Sequence, residues 1–375
     1  MIAPGPSLST LASNGGVLIV GTGLIGASLG LALTARAVPV RLQDASPAAQ
    51  ALARDIGAGE IAAPDDLDPA LVVIAAPPDV TADLVAQALG RYPDAAVIDV
   101  AGVKSIIEIE LSQSEDLELH RYLGSHPMAG RERHGPAAAD GDLFAGRPWV
   151  LTPNPATDPQ LVNLIRGMVQ DIGASPVEMS ATDHDHAVAL VSHLPQLLSS
   201  LAAVRLVDAP EGSLALAGQG LRDVTRIAAS DARLWASILV GNATPVRDAL
   251  LGVRADLDSL LQALDAAGSN PLAVGSMSGI ARIIAAGNTG VARIPGKHGG
   301  ARKDYAAVTV LVPDRPGELG RLFSEIGEIG VNIEDFHMDH SPQQKVGMAT
   351  VSVIPSAAAG LVAALEQRQW RVVVE

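Results

Sequence analysis

The fold is decided at Val17-Leu18-Ile19-Val20-Gly21-Thr22-Gly23-Leu24-Ile25-Gly26-Ala27-Ser28-Leu29. Four apolar residues in a row read as a strand buried on both faces. Glycine stops that strand, and residues 24–37 read as a helix. Between them Gly21, Gly23 and Gly26 spell G-x-G-x-x-G. Gly21 permits a tight turn, Gly23 lets backbone approach a pyrophosphate, and Gly26 lets helix and strand pack closely. The free N–H groups of the helix start, at Leu24 and Ile25, favour an anion there. Asp44 ends the next strand at about twenty residues' distance, where a carboxylate accepts from ribose hydroxyls. The same carboxylate repels a 2′-phosphate, so NAD is favoured over NADP, with Arg41 the one contrary charge nearby. A glycine-rich turn that holds no nucleotide is the bland alternative.

Outward from this loop the alternation continues. Residues 38–42, 71–76 and 95–100 read as strands with helical stretches between them. That order implies right-handed βαβ units and a parallel sheet covered on both faces. Ala76 and Pro77, at the end of the strand over 71–76, are expected beside the cofactor. An N-terminal Rossmann-like parallel sheet is therefore expected over 17–155, after a loose tail at 1–16. Beyond residue 158 strand signals become rare and helical patterns dominate, which implies a mostly α-helical second domain over 156–290. Residues 268–303 are rich in Gly, Pro and small polar residues and read as a linker or an ordered crossing loop, with the domain link itself at 291–303. Residues 304–375 follow β-α-β-β-α-β, a C-terminal ferredoxin-like α+β domain.

Composition narrows the function. A chain of 375 residues holds two to three domains, and its 48% hydrophobic content excludes global disorder. The net charge of −15 argues against a grip on nucleic acid by charge alone. It also means that an anionic ligand needs local cations. Cysteine is absent, which excludes disulfides, thiolate nucleophiles and cysteine-bound metals. The start lacks a basic, apolar leader, and no uninterrupted apolar run reaches about 18 residues, so neither signal peptide nor membrane span is expected. A soluble cytoplasmic protein without a metal is the expectation.

Four side chains then stand out. His126, in Ser125-His126-Pro127-Met128-Ala129-Gly130, falls just beyond the strands, where ligands of such sheets bind. It reads either as an ordinary surface histidine or as a general acid–base. His184-Asp185-His186 hints at a metal, but an i,i+2 pair diverges on a helix, so a charged helix start is preferred. His193 sits among apolar residues, with Pro195 expected to kink its helix, and is either a core or a ligand-binding histidine. Arg226 also has apolar neighbours, and a buried arginine demands an anion. Trp235 follows nine residues later in the sequence and reads first as core packing.

These motifs together resemble the prephenate dehydrogenase family, which includes arogenate dehydrogenases. The matching stretches are Gly21 to Leu29, Ser125 to Gly130, Ser192-His193-Leu194-Pro195, and Arg222 to Ala228 with Trp235. The resemblance implies NAD-dependent oxidative decarboxylation of a cyclohexadienol. It implies His126 as the catalytic histidine on the ring hydroxyl and Arg226 as the partner of a substrate carboxylate. His193 and Trp235 match pocket residues, and a hydroxyl near the ring is either missing or supplied by Ser105 or Ser125. The family often carries serine where this chain has Gly102, and histidine where it has Gln196. The C-terminal module resembles an ACT domain. There Asp314, Pro316, Gly317 and Asn332 match positions of an amino-acid effector site, with tyrosine the natural effector; a dimerisation module without a ligand is the alternative. A homodimer through the helical domain is implied. Local cations for an anionic substrate would be Arg226 and a protonated His193.

Three rivals remain. Arogenate in place of prephenate keeps fold and chemistry. A hydroxy-acid dehydrogenase would want a lysine on the helical domain, and none lies between Lys104 and Lys297. A regulator that senses NAD without turnover is the third.

Overall fold

The computed structural model describes residues 6–63, 68–131, 135–270, 274–295, 305–340 and 346–373. It forms two compact units, residues 1–204 with 225–252 and residues 205–224 with 253–375.

The first unit opens with α1 (Pro6–Ser13), β1 (Val17–Val20), α2 (Leu24–Thr34), β2 (Val40–Gln43), α3 (Pro47–Asp55) and β3 (Glu60–Ile61). It continues through β4 (Leu71–Ile74), α4 (Pro78–Arg91), β5 (Ala96–Asp99), α5 (Ser105–Ser112), β6 (Tyr122–Pro127), β7 (Pro148–Thr152), α6 (Pro159–Asp171) and β8 (Ser175–Glu178). One sheet runs β3-β2-β1-β4-β5-β6-β7-β8. Its pairs from β3 to β6 are parallel, as expected. Successive residues of each central strand enter different cores. Ile19, Val73 and Ile98 join Leu29, Leu33 and Ile165 on one side, while Leu18, Val72 and Val97 join Val85 and Ile107 on the other. Burying both faces is what makes these strands uniformly apolar. The strand order reverses between β1 and β4, which opens a crevice at the carboxyl edge of the sheet.

Three local expectations change. The tail at 1–16 contains α1, whose Leu8 and Leu11 are fully buried. Two leucines three apart share one helix face, and α1 packs on α6. The sheet also does not stop near residue 155. α6 sends Leu161, Ile165, Met168 and Val169 into the first core, and β8 pairs with β7. Finally, β7 runs antiparallel to β6. Between them the described residues hold a 3-10 turn at Pro136–Ala138 and no α-helix, so the chain turns back.

Helices follow: α7 (Ala181–Val188), a π-helical turn at Ala189–His193, α8 (Leu194–Val204), α9 (Glu211–Leu214), α10 (Gln219–Thr225), a 3-10 turn at Arg226–Ala228, α11 (Ala232–Gly241), α12 (Ala243–Ser269) and α13 (Ser276–Ala292). The π turn answers Pro195. Proline lacks an N–H and its ring crowds the carbonyl four residues back, so the backbone widens just upstream. Residues 181–204 are long and apolar enough to cross a membrane by length and composition. A scan for unbroken apolar runs passes over them because buried His184, Asp185, His193 and Gln196 interrupt the pattern. α13 takes up residues 276–292 of the stretch expected as a loop over 268–303, and its Ala281, Ala285, Ala286 and Ala292 are the best helix formers. Residues 296–304, with the Gly-Lys-His-Gly-Gly stretch, and residues 1–5 lie outside the described residues.

The second unit ends in β9 (Ala306–Pro313), α14 (Glu318–Ile329), β10 (Asp335–His340), β11 (Val346–Val353), α15 (Pro355–Gln367) and β12 (Arg371–Val373). The sheet order is β10-β11-β9-β12 with every pair antiparallel. This is the expected ferredoxin-like arrangement. Alternate residues Val308, Val310, Val312, Ala349, Val351 and Val353 form a core with Leu322, Ile326, Leu361 and Leu365. Trp370 belongs to this packing. Its indole Nε1 donates to Glu325 Oε2 at 2.7 Å, and the Arg321 guanidinium lies 3.9 Å over its ring. Trp149, in the first unit, is fully buried with its ring centroid 5.0 Å from that of Phe144.

Candidate active site

The loop after β1 is built as a cradle. Gly21 takes φ +101, and a Cβ there would lie 2.2 Å from the Ala75 carbonyl oxygen. A Cβ on Gly26 would lie 1.9 Å from the Gly21 oxygen. At Gly23, by contrast, no atom lies within 4 Å of the missing side chain. Gly23 makes no side-chain cap at the start of α2, so the N–H groups of the first turn, Leu24 and Ile25 included, keep their pull on an anion. Asp44 Oδ2 accepts from Thr22 N at 2.5 Å and Thr22 Oγ1 at 2.8 Å, and its Oδ1 accepts from Ser46 N at 2.7 Å. One carboxylate thus stands against the glycine loop, and Ala76 and Pro77 follow β4 next door. These residues fit a dinucleotide.

Along the same edge lies a histidine cluster. His126, near the end of β6, is half-buried. Its Nδ1 is 2.8 Å from His184 Nε2, and His184 Nδ1 is 2.8 Å from Asp185 Oδ1. Asp185 Oδ1 also accepts from Lys104 N at 2.9 Å, and Oδ2 accepts from Ser105 N at 2.8 Å, at the start of α5. Burial works to raise the Asp185 pKa, but hydrogen bonds from His184, Ser105 and Lys104 outweigh it and hold the carboxyl below its ordinary value. Burial, helped by the neighbouring His184, Lys104 and His193, pushes His126 well below the usual histidine range, against a smaller upward pull from Asp185. The far nitrogen of His126 is turned toward Gly102. A Cβ on Gly102 would lie 3.7 Å from Nε2, with only the His126 ring near it.

His193 is tied to this cluster through Asn242. The Asn242 Nδ2 donates to the Asp185 carbonyl at 2.7 Å and lies 3.1 Å from His193 Nδ1. A carbonyl only accepts, so the amide nitrogen must be the group between them, and it donates to His193 Nδ1 as well. The neutral His193 ring therefore carries its proton on Nε2. Trp235 meets His193 edge to face, with centroids 6.0 Å apart. Burial lowers the His193 pKa to about 4, past a restoring pull from Asp185 and a further push from His184. His193 is thus neutral near pH 7 and cannot be the local cation expected from the sequence. Stability should follow. The folded pKa lies below the unfolded value of about 6.5, so the unfolded chain binds the extra proton in between. The stabilisation from His193 is complete above about pH 6.5 and is lost as pH falls toward 4. Thermal unfolding of wild type and His193→Gln across that window checks this: the wild-type midpoint should fall more steeply. Parallel curves would contradict it.

Below the site, Asp99 and Lys104 form a fully buried ion pair. Tyr122 Oη donates to Asp99 Oδ2 at 2.7 Å, and Ala101 N donates to Asp99 Oδ1 at 2.8 Å. The pair holds both ends of the segment that carries Gly102.

With this geometry in view, relatives become informative. The family model described as prephenate dehydrogenase, nucleotide-binding domain, matches residues 29–178. The model described as prephenate dehydrogenase, dimerization domain, matches residues 180–274. The "Probable prephenate dehydrogenase NovF" of Streptomyces niveus is 36% identical over 356 residues, covering 94% of this chain and 98% of that protein. The chain belongs to the prephenate dehydrogenase family. Among solved members, prephenate dehydrogenase from A. aeolicus in complex with hydroxyphenyl propionate and NAD+ aligns with TM-score 0.63 and 26% identity, covering 73% of this chain and 97% of that one. Synechocystis arogenate dehydrogenase aligns with TM-score 0.59 and 26% identity, covering 73% and 98%.

Not every residue expected from the family pattern lies where it was expected. His126, His193 and Trp235 fall in one cluster. Ser125 does not join it. Strand residues alternate between faces, and the Ser125 hydroxyl is fully buried, donating to the Asp99 carbonyl at 2.6 Å. Arg226 lies on the 3-10 turn and is exposed, so the burial argument that asked for an anion does not hold. Gln196, one turn beyond His193, is buried and accepts from Ser230 Oγ at 3.4 Å. Helical spacing sets His184 apart from His186. The two do diverge, His186 outward and His184 fully buried, but the buried one meets His126. Asn242, Asp99 and Lys104 went unremarked as site residues; the signal was their polarity inside apolar stretches. In the second unit, Asp314, Pro316 and Gly317 follow the end of β9, while Asn332 is exposed and donates to Glu334 at 2.8 Å. Asn332 precedes β10, whose start pairs with Ser352, and Ser352 pairs with Ala307 at the start of β9. One chain therefore holds the two halves of the expected effector site at opposite ends of its sheet.

Proposed function

We propose that this chain oxidises and decarboxylates prephenate to 4-hydroxyphenylpyruvate with NAD. The observation that carries the reading is the His126–His184–Asp185 chain of contacts, on the sheet edge that also carries the glycine cradle. The Gly21–Gly26 loop holds the pyrophosphate and Asp44 the ribose. NAD, when bound, supplies the hydride acceptor. His126 takes the ring hydroxyl proton as the hydride leaves the carbinol carbon. The carboxylate departs as carbon dioxide, the ring becomes aromatic, and the proton returns to the phenol oxygen. His193 Nε2–H serves as a donor to substrate oxygen, Trp235 walls the pocket, and Arg226 attracts a carboxylate. Positioning and one base suffice, because aromatisation drives the step.

Assays of NADH formation with prephenate and with arogenate test this. Turnover of prephenate is expected, with arogenate the weaker substrate. The reverse order would make the chain an arogenate dehydrogenase, and no turnover of either would refute the reading. A homodimer is part of the proposal. It rests on the dimerization-domain match at 180–274 and on exposed Leu190, Val191, Leu201 and Val204 along α8 and the π turn. We also assign the ferredoxin-like sheet as an ACT-type module whose effector, tyrosine, would need two copies to complete its site. Inhibition by tyrosine, lost in Asn332→Ala, is the result that supports it.

A further inference from the structure

The hydrogen bonds behind His126 run in one direction. The Asp185 carboxylate carries no proton, so His184 must donate to it from Nδ1. A neutral imidazole with its proton on Nδ1 has its lone pair on Nε2. That lone pair faces His126 Nδ1 at 2.8 Å, so His126 is the donor in this contact. Its own lone pair is then on Nε2, the nitrogen turned toward Gly102. We propose that Asp185 and His184 are positioning residues that hold His126 in the Nδ1–H tautomer, so that a lone pair and not a proton meets the substrate hydroxyl.

The arrangement has a fixed end. Both Asp185 oxygens are held by the backbone N–H groups of Lys104 and Ser105, so the carboxylate cannot turn away from His184. Its charge also offsets the positive charge that His126 acquires when it takes a proton. His193, two steps away through Asn242, carries the opposite tautomer. The pocket thus presents one imidazole that accepts and one that donates, and hydrogen bonds to the far side of each ring decide which is which.

This inference rests on His126 as the base, and the experiment separates the two ideas. Ring-nitrogen NMR of wild-type enzyme labelled with 15N-histidine, assigned with His126→Asn, reads the tautomer without any turnover. His126 is expected with its proton on Nδ1; a proton on Nε2 overturns the proposal, whatever the assays with substrate show. The second measurement compares His184→Phe with His184→Gln. A glutamine carbonyl reaches the place of His184 Nε2 and accepts, whereas phenylalanine fills the space and cannot. His184→Phe should lose about 10²-fold or more in kcat, and His184→Gln should recover at least about tenfold of that loss, with NAD affinity equal in both. Equal turnover in the two variants overturns the proposal. If His184→Phe does not fold, the wild-type spectrum still decides.

Discussion

Replacing His126 with asparagine should lower kcat by about 10²–10⁴-fold, the usual worth of a positioned general base. Asparagine keeps a donor near the His184 nitrogen but has no group that takes a proton near neutral pH. NAD affinity should not change, since the glycine cradle and Asp44 do not touch position 126. Isothermal titration with NAD, beside steady-state rates with prephenate, separates the two. Near-normal turnover would show that another group removes the proton. The wild-type pH profile makes the same case. Only neutral His126 works, and burial holds its pKa below the ordinary histidine value. Activity is therefore full above that lowered pKa and lost beneath it, so the acid limb of kcat/KM should lie below about pH 6.5.

The low pKa has a second side. A base that is always free of protons at pH 7 is also a weak one. Asp185 is the one neighbour that pulls His126 upward, which restores some basicity without charging the ring in the resting state. The −15 chain therefore does not lean on a standing imidazolium to draw in an anion. The uncapped start of α2 remains to do so, and in the proposed reading Arg226 joins it.

What could be read from the residues alone follows from how local each signal is. The glycine loop was legible because each glycine answers a constraint within a few residues of chain or across one neighbouring strand. The β-α-β-β-α-β order at the C-terminus was legible for the same reason. His184 was not. Helical spacing rightly separates it from His186, but nothing local says which face meets β6, fifty-eight residues away along the chain. Asn242 is equally remote from the Asp185 carbonyl that fixes it. Ser125 is a different case. Strand alternation alone puts it on the face opposite His126. Arg226 is exposed despite its apolar sequence neighbours, because such neighbours do not make a short surface turn buried.

The largest effect on stability should come from Lys104→Met. Lys104 and Asp99 are both sealed from solvent, and burial pulls the lysine pKa down while the Asp99 charge pulls it back up. Methionine fills nearly the same volume but leaves Asp99 with Tyr122 Oη and Ala101 N as its partners among the described residues. An orphaned buried charge costs about 3–5 kcal/mol, which for a unit of this size lowers Tm by on the order of 10 °C. The decisive comparison is the double variant Lys104→Met with Asp99→Asn. It removes the second charge while keeping an oxygen for Ala101 N. If the penalty is the unpaired charge, the double variant should be more stable than Lys104→Met alone. If the loss comes from packing, the two should differ by less than about 0.5 kcal/mol. Turnover should separate from stability in the same pair. Both variants remove the tie between the two ends of the segment 99–104, so Gly102 shifts relative to His126 Nε2. The double variant should therefore regain Tm without regaining kcat, which calorimetry and steady-state rates on the same samples would show. Recovery of both together would mean that the pair matters for folding alone.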